Sequence, residues 1–455
     1  MGGLLFGMET GNIGGIVTMG SFKEDFGLTP ENEARIQGTI VSALQAGAFV
    51  GVLLTSVVAD KFGRRLSLVL CGLVFDIGAI MQTASVGQLG VLYSGRVISG
   101  LGVGAASILT PVYISEMAAK EVRGKLLTGF MFATFLGISI SYWINYFSQQ
   151  LLEGTSQWQV PMVLQIMPGL VLTVGTIPLR ESPRWLVKKD RRAAALESLV
   201  YIRQSDAVMA EFEEICDSAD REKTQLSGAS MWEVALPKNR HQVMLGVGLM
   251  ICQQATGTIS FTYFAPIFFN QVGLAGESAG LLFTGLYGLI KTFFSMVFMV
   301  RYVETTGRRR ALEYGGLFMG SIMLAIGFTL WGAGNNGGWP SYLMIALIYL
   351  FSVGYSASWG PVPWLYCAEI CPTRIREYGV TLSSATQWLA NFAVTRVIPL
   401  AVKHLGWRLF VLFGLSNYLA TLFAWKWVKE TKGLSLEEMD KLFHKSDEHQ
   451  PLLST

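Results

Sequence analysis

Long apolar runs recur along the whole chain and are parted by short polar loops. A helix that crosses a bilayer needs about 20 mainly apolar residues. Twelve stretches meet that need: roughly 1–20, 37–58, 66–86, 89–112, 125–148, 159–179, 243–268, 277–301, 311–332, 341–366, 378–400 and 406–427. They predict an all-α membrane protein with twelve transmembrane helices, numbered here as spans 1 to 12. One charge-rich stretch, about 180–241, interrupts the series after span 6. Within it, Arg191 to Arg203 and Ala207 to Asp220 have the spacing of short amphipathic helices. The chain therefore divides into an amino-terminal six-helix bundle (1–179), a helical linker (180–241), a carboxy-terminal six-helix bundle (242–428) and a tail (429–455). The linker reads equally as a latch between the halves or as a solvated connection.

The short loops carry a repeated signature. Asp60-Lys61-Phe62-Gly63-Arg64-Arg65 follows span 2, and Glu304-Thr305-Thr306-Gly307-Arg308-Arg309 follows span 8, 244 positions later. Glu116 and Arg123 follow span 4, and Glu369 and Arg376 follow span 10, 253 positions later. Glu181-Ser182-Pro183-Arg184 closes the first half and Glu430-Thr431-Lys432-Gly433 the second, 249 positions later. Three motifs in one order at nearly one spacing mark a duplicated unit, with a binding site expected between its halves.

Composition agrees with a polytopic membrane protein: 51% of residues are hydrophobic and 15% charged, against about 25% charged in soluble domains. The 50 glycines suit helices that pack backbone to backbone. Lysine and arginine gather in the loops after spans 2, 4, 8 and 10, which puts those loops and both termini in the cytoplasm. The first span starts at Met1, where a cytoplasmic leader would be expected, so the amino terminus reads as truncated. That span also carries an acid and has no cleavage site, which argues against a signal peptide. Five cysteines show no paired spacing, and Cys367 and Cys371 read as packing residues. The four histidines lie at or beyond helix ends, so no metal or other cofactor is expected. No nucleophile–base set or phosphate-cradling loop points to an enzyme, and Gly100-Leu101-Gly102-Val103-Gly104 sits inside a span and reads as close helix packing.

The chain resembles the sugar porter branch of the major facilitator superfamily, most closely its fungal members, along essentially its whole length. The matching residues are Asp60-x-x-Gly63-Arg64-Arg65, Gly95-Arg96, Glu181-Ser182-Pro183-Arg184, Gln253-Gln254-x-x-Gly257, Gly360-Pro361-x-Pro363-Trp364 and Glu430-Thr431-Lys432-Gly433. The resemblance implies the major facilitator fold: two six-helix bundles around a cavity that opens alternately to each side of a plasma membrane.

A neutral sugar presents hydroxyls that donate and accept, together with apolar C–H faces, so amides and aromatic rings suit it. Span 7 supplies Gln253, Gln254 and Tyr263, span 10 supplies Trp364, and span 11 supplies Gln387, Trp388 and Asn391. Gln387 and Asn391 are four apart and share a face. In similar sugar porters the matching glutamines, span-11 polar residues and tryptophans line the sugar site. The plainer reading is that such amides glue helices together; for five converging on one cavity that reading weakens. Pro361 and Pro363 interrupt span 10 and predict a hinge.

Glu9 lies mid-span in Gly7-Met8-Glu9-Thr10-Gly11. A bare charge there costs at least ~2.5–3.5 kcal/mol, so it should be protonated or paired, and Arg96 is the expected partner. In related proton-coupled porters the matching acid carries the proton against the matching arginine; the alternative is a static salt bridge. The family usually has Asp where this chain has Glu9. Asp60, Arg64, Arg65, Glu116, Arg123, Glu181 and Arg184, with Glu304, Arg308, Arg309, Glu369, Arg376 and Glu430, read as cytoplasmic gating residues whose ion pairs hold the outward-facing state.

Two positions depart from the family pattern. Met131 stands where span 5 usually places a glutamine, and Ile259 where span 7 usually places an asparagine. Asp76, Lys291 and Arg396 are further intramembrane charges, and Lys291 could hold a carboxylate. The leading expectation is proton-coupled uptake of a monosaccharide by a monomer, with protons and the bilayer as its other partners and no nucleic acid. A quinate or sugar-acid permease is the runner-up, and a non-transporting sugar sensor is third.

Overall fold

The computed structural model describes residues 1–203, 208–226, 233, 236–271, 277–302, 306–333, 338–371 and 375–432. Among them every long regular element is a helix. In the first half these are α1 (Gly2–Ile16), α2 (Gly20–Asp25), α3 (Glu33–Phe62), α4 (Arg64–Thr83), α5 (Leu89–Met117), α6 (Lys120–Leu151), α7 (Ser156–Leu164) and α8 (Ile166–Thr176). The linker folds as α9 (Pro183–Lys188), α10 (Arg192–Arg203) and α11 (Val208–Leu226). The second half holds α12 (Pro237–Ala255), α13 (Thr258–Gln271), α14 (Glu277–Val297), α15 (Arg308–Ala333), α16 (Trp339–Ser356), α17 (Val362–Ile370), α18 (Arg376–Leu405) and α19 (Trp407–Trp427).

Each predicted span is helical, and three of them are built from two pieces. Span 6 is α7 plus α8, stepping at Gln165. Span 10 parts into α16 and α17 just before Pro361 and Pro363, as proline in a helix interior requires. Span 7 parts into α12 and α13 at Gly257, whose φ of 84° lies in the left-handed region. A Cβ at Gly257 would fall 2.7 Å from the Phe413 ring, so the break is also a close contact with α19. Among the described residues, ten helices are long and apolar enough to cross a bilayer. Those of span 1 (α1, 15 residues) and span 11 (α18, with Gln387, Asn391 and Arg396) stand outside that set.

Glycines seat the first half. Along α3 and α5, a Cβ at Gly47, Gly51, Gly100 or Gly104 would lie 2.1–2.3 Å from a carbonyl oxygen of the facing helix. The Gly100–Gly104 run is thus a packing surface, as its place inside a span implies. Between the halves, α3 packs on α18, α6 on α14 and α1 on α13. In span numbers these pairs are 2 with 11, 5 with 8 and 1 with 7, which a two-fold relation between the repeats exchanges among themselves.

The linker docks on the first half. Trp185 Nε1 donates to the Asp60 carbonyl at 3.0 Å and Ser198 Oγ to the Glu181 carbonyl at 2.7 Å. Arg203 is bidentate to Glu211 at 2.9 Å and donates to the Met117 carbonyl at 2.8 Å.

Candidate functional site

Glu9 on α1 and Arg96 on α5 meet as an ion pair, Arg96 Nη1 to Glu9 Oε1, with both side chains at most 1% exposed. Arg96 is aimed by a second bond, Nε to the Ile40 carbonyl at 3.1 Å. Ser99 Oγ approaches the same Glu9 oxygen at 3.4 Å and is itself held by Gln82 Nε2 at 2.9 Å. Glu9 Oε2 and Arg96 Nη2 are buried without a partner, so the pair is half-satisfied. Removing one member of a buried pair strands the other at a cost of about 3–5 kcal/mol, which ties the charge of one residue to the presence of the other. Tyr263 of α13 reaches this region from the second half: with the Gln45 amide turned to suit its neighbours, the Tyr263 hydroxyl donates to it at 3.1 Å.

The amides of span 7 divide their work. Gln253 Nε2 donates to the Trp359 and Gly360 carbonyls at 2.8 and 3.0 Å. Those carbonyls lie in the break between α16 and α17, so Gln253 ties down backbone that has lost its helical bonds. Gln254 Nε2 donates to Gln253 Oε1 at 3.3 Å, and its own Oε1 has no partner. On α18, Gln387 Oε1, Trp388 Nε1 and Asn391 Oδ1 are all buried without partners. A buried polar atom left unpaired costs about 1–3 kcal/mol, so these three neighbouring residues of one helix are candidates for contact with a polar ligand. Trp388 is fully buried against Leu5, Ala48 and Val52 of the first half, with its ring 5.3 Å from that of Phe6. Trp364, on α17, is half-buried. Met131 is half-buried and Ile259 buried, so the two positions that lost amides remain inside the fold.

Lys291 of α14 is 3% exposed. Its Nζ donates to Thr262 Oγ1 at 3.1 Å and lies over three rings, Tyr355 at 5.3 Å, Phe135 at 5.6 Å and Tyr287 at 5.7 Å. Phe135 belongs to the first half and the other two to the second. Cation–π contacts of this kind contribute up to about 2 kcal/mol when desolvated. Among the described residues no carboxylate stands within ion-pair distance of Lys291. Asp76, also intramembrane, has neither carboxylate oxygen bonded, with α8 pressed against it at Gly169.

The loop motifs assemble twice in one pattern. In the first half Arg64 pairs with Glu116 at 3.1 Å, and Glu181 accepts the backbone N–H groups of Arg64 at 2.9 Å and Arg65 at 3.1 Å. In the second, Arg308 pairs with Glu369 at 3.0 Å, and Glu430 accepts from Arg308 at 2.8 Å and Arg309 at 3.2 Å. Each closing glutamate thus caps the first N–H groups of a transmembrane helix, where a negative charge is favoured. Gly63 and Gly307 sit between at φ of 89° and 83°, and a Cβ there would strike the capping carboxylate at 2.3 and 2.6 Å. Asp60 pairs with Lys188 and Lys189, Arg309 with Glu313, and Arg184 is exposed. Arg123 Nε is buried without a partner. The ion pairs expected to lock one state therefore join helices inside each half. Glu304 and the Arg376 side chain lie outside the described residues.

A family model described as "Sugar (and other) transporter" matches residues 1–443. The chain belongs to that family. A probable quinate permease of Aspergillus clavatus is 32% identical over 459 residues, covering 96% of this chain and 85% of the relative. A quinate permease of Emericella nidulans is 31% identical over 461 residues, covering 97% and 86%. Among solved structures, the major facilitator proton:xylose symporter XylE bound to 6-bromo-6-deoxy-D-glucose superposes with a TM-score of 0.82 at 29% identity, over 97% of each chain. An inward-open conformation of the xylose transporter XylE from E. coli superposes with a TM-score of 0.81 at 28% identity, again over 97% of each. This sugar porter is thus a multi-pass membrane transporter of the major facilitator fold and not an enzyme.

No motif of this porter marks Gln45, Phe135, Tyr142 or Thr262 as residues of the interior seam. Tyr142 donates to the Thr262 carbonyl across the halves. Only Tyr287 gave a signal, standing four residues before Lys291 on one helix face.

Proposed function

We propose that the chain imports a small polyhydroxylated acid of the quinate type together with a proton, by alternating access, across a plasma membrane. The observation that carries this reading is Lys291, a cation buried in the transporter's interior with three ring faces and a hydroxyl around it and, among the described residues, no carboxylate within ion-pair distance. An intramembrane charge is expensive and persists where it serves a pathway or a ligand. An anionic cargo supplies the missing partner. The quinate permeases among the relatives favour the same class.

Glu9 and Arg96 are the proton-coupling pair in this reading. The half-satisfied ion pair lets a proton on Glu9 Oε2 release Arg96 as the halves move. Gln254, Gln387, Trp388 and Asn391 bind the cargo's hydroxyl face with their unpaired atoms, and Trp364 covers one of its apolar faces. Gln253 and Tyr263 set the geometry of the break in span 10 and of the seam between halves. The units 1–179 and 242–428 rock about the cargo, the linker 180–241 stays with the first unit, and both termini face the cytoplasm.

A second reading, a neutral monosaccharide as cargo, draws on the same unpaired amides and on XylE as a structural neighbour. Uptake of labelled quinate and labelled hexoses into transporter-null yeast separates the two. The acid reading expects quinate uptake that rises as the outside pH falls, collapses with an uncoupler, and drops at least ~10-fold in Lys291→Met. Hexose uptake untouched by Lys291→Met, with no quinate uptake at all, assigns the cargo to the neutral class. Quinate uptake indifferent to the uncoupler removes the proton.

A further inference from the structure

We propose that Lys291, Thr262, Tyr287 and Ser352 form a subsite for the carboxylate of the cargo, and that Phe135 of the opposite half is the residue that senses its occupancy. The inference rests on the acid-cargo reading and names the atoms that would recognise the charge.

Four buried groups on three helices converge here. Lys291 and Tyr287 are four residues apart on α14 and share a face. Thr262 comes from α13 and Ser352 from α16. Lys291 Nζ uses one N–H on Thr262 Oγ1, and an ammonium has three to give. The Tyr287 hydroxyl is fully buried among the hydroxyls of Thr258, Thr262 and Ser352, which stand close enough to exchange hydrogen bonds with it. Ser352 Oγ is itself fully buried. Thr258 Oγ1 and Ser295 Oγ share that condition.

A carboxylate is an acceptor with about four lone-pair positions. Two free N–H groups of Lys291 and the hydroxyls of Tyr287 and Ser352 are four donors of the complementary kind. A neutral sugar would satisfy the hydroxyls and leave the ammonium uncompensated. A correctly placed carboxylate would gather these donors on one acceptor. The set thus suits a negative charge that no described residue supplies within ion-pair distance of Lys291.

Phe135 gives the subsite a link to the transport cycle. Its ring faces Lys291 Nζ at 5.6 Å, and its carbonyl accepts from Thr292 Oγ1 at 3.0 Å, so α6 and α14 meet at this point. A carboxylate that draws Nζ toward Tyr287 and Ser352 weakens the hold of Lys291 on the Phe135 ring. Cargo binding would then change the affinity of one half for the other, which is what a ligand must do to shift a conformational equilibrium.

The test uses the full chain in proteoliposomes with two probes of the same ring and hydroxyls: quinate, which is charged, and its methyl ester, which is neutral. The wild type is expected to bind quinate at least ~10-fold more tightly than the ester. Tyr287→Phe and Ser352→Ala should each weaken quinate by about tenfold, the worth of one hydrogen bond to a charged group, and leave the ester unmoved. Lys291→Met should level the two probes, and Lys291→Arg should restore part of the preference. If Lys291→Met levels the probes but Tyr287→Phe and Ser352→Ala change neither, or change both alike, this subsite is wrong while an acid cargo stands. If the wild type does not prefer quinate, or Lys291→Met leaves its preference intact, the acid reading fails and the subsite with it. For Phe135→Leu, unchanged quinate affinity with a changed transport rate is the expected result; an unchanged rate overturns its sensing role.

Discussion

The two halves of the molecule agree at their loops and disagree in their interiors. At the loops, Arg64, Glu116 and Glu181 reproduce the contacts of Arg308, Glu369 and Glu430 to within a few tenths of an ångström. Inside, the first half holds the Glu9–Arg96 pair, whereas the second holds Lys291 and the α18 group Gln387, Trp388 and Asn391. A duplicated frame has kept its loop contacts alike and has let its interiors diverge. The coupling pair and the cargo site proposed above would communicate through the seam between the halves. That seam is made of close contacts: Gly14 of α1 against the Tyr263 carbonyl, Tyr142 against Thr262, and Arg396 of α18 bonded to Arg35 and Thr39 of α3.

The division of labour breaks most sharply at Glu9. Glu9→Gln removes the proposed proton carrier and strands Arg96, which is worth about 3–5 kcal/mol for a buried charge. Accumulation of labelled cargo against its gradient should fall to background while exchange across proteoliposomes persists. Normal accumulation in Glu9→Gln would reduce the pair to a structural bridge and cancel the contrast between the halves. Arg96→Leu leaves a carboxyl that can take up a proton, whereas Glu9→Gln leaves a guanidinium that cannot lose one, so Glu9→Gln should lower the unfolding midpoint of the detergent-solubilised protein more than Arg96→Leu does.

A smaller effect is expected at Gln253. Its amide holds the Trp359 and Gly360 carbonyls in the break of span 10. Gln253→Leu leaves two buried carbonyls unpaired, at about 1–3 kcal/mol each. Thermal stability should drop, and the apparent KM for every cargo should rise alike, because the whole α17 segment with Trp364 is released. A change in KM for one cargo only would show Gln253 to be a direct ligand and move it into the binding set with Gln254.

What the chain discloses by itself follows from the range of the interactions. Spans, the loop repeat and the break at Pro361 and Pro363 rest on local pattern, and the structure has them where periodicity and proline chemistry require. The meeting of Glu9 with Arg96 was legible for a second reason, since an intramembrane acid needs a cation and Gly95-Arg96 offered one. The ring cage of Lys291 was not, because Phe135, Tyr287 and Tyr355 come from three separate helices and aromatics are abundant everywhere in a membrane protein. The role of Glu181 and Glu430 as helix caps was also hidden. Both were read as partners for arginine side chains, yet the groups they accept from are backbone N–H atoms, which no sequence motif displays. Gly257 stands in the Gln253-Gln254-x-x-Gly257 motif, which does not display the positive φ that breaks span 7 there.

Those two caps give the finest test of how closely the frame is repeated. Glu181 accepts from Arg64 and Arg65, and Glu430 from Arg308 and Arg309, at 2.8 to 3.2 Å in every case. A charge at a helix N-terminus contributes about 0.3–2 kcal/mol depending on burial. Glu181→Gln keeps an acceptor and removes the charge, as does Glu430→Gln. If the frame is symmetric in energy as well as in geometry, the two substitutions should lower stability equally, to within about 0.5 kcal/mol, and the double variant should be additive because the sites are far apart. The transport consequences should differ in spite of this. Glu181 lies under the linker, whose Ser198 bonds its carbonyl, so loosening it disturbs the linker's seat on the first half. Glu181→Gln should therefore raise protease sensitivity in 180–203, whereas Glu430→Gln should leave it unchanged. Equal protease sensitivity in both would show that the linker holds its place without help from the cap.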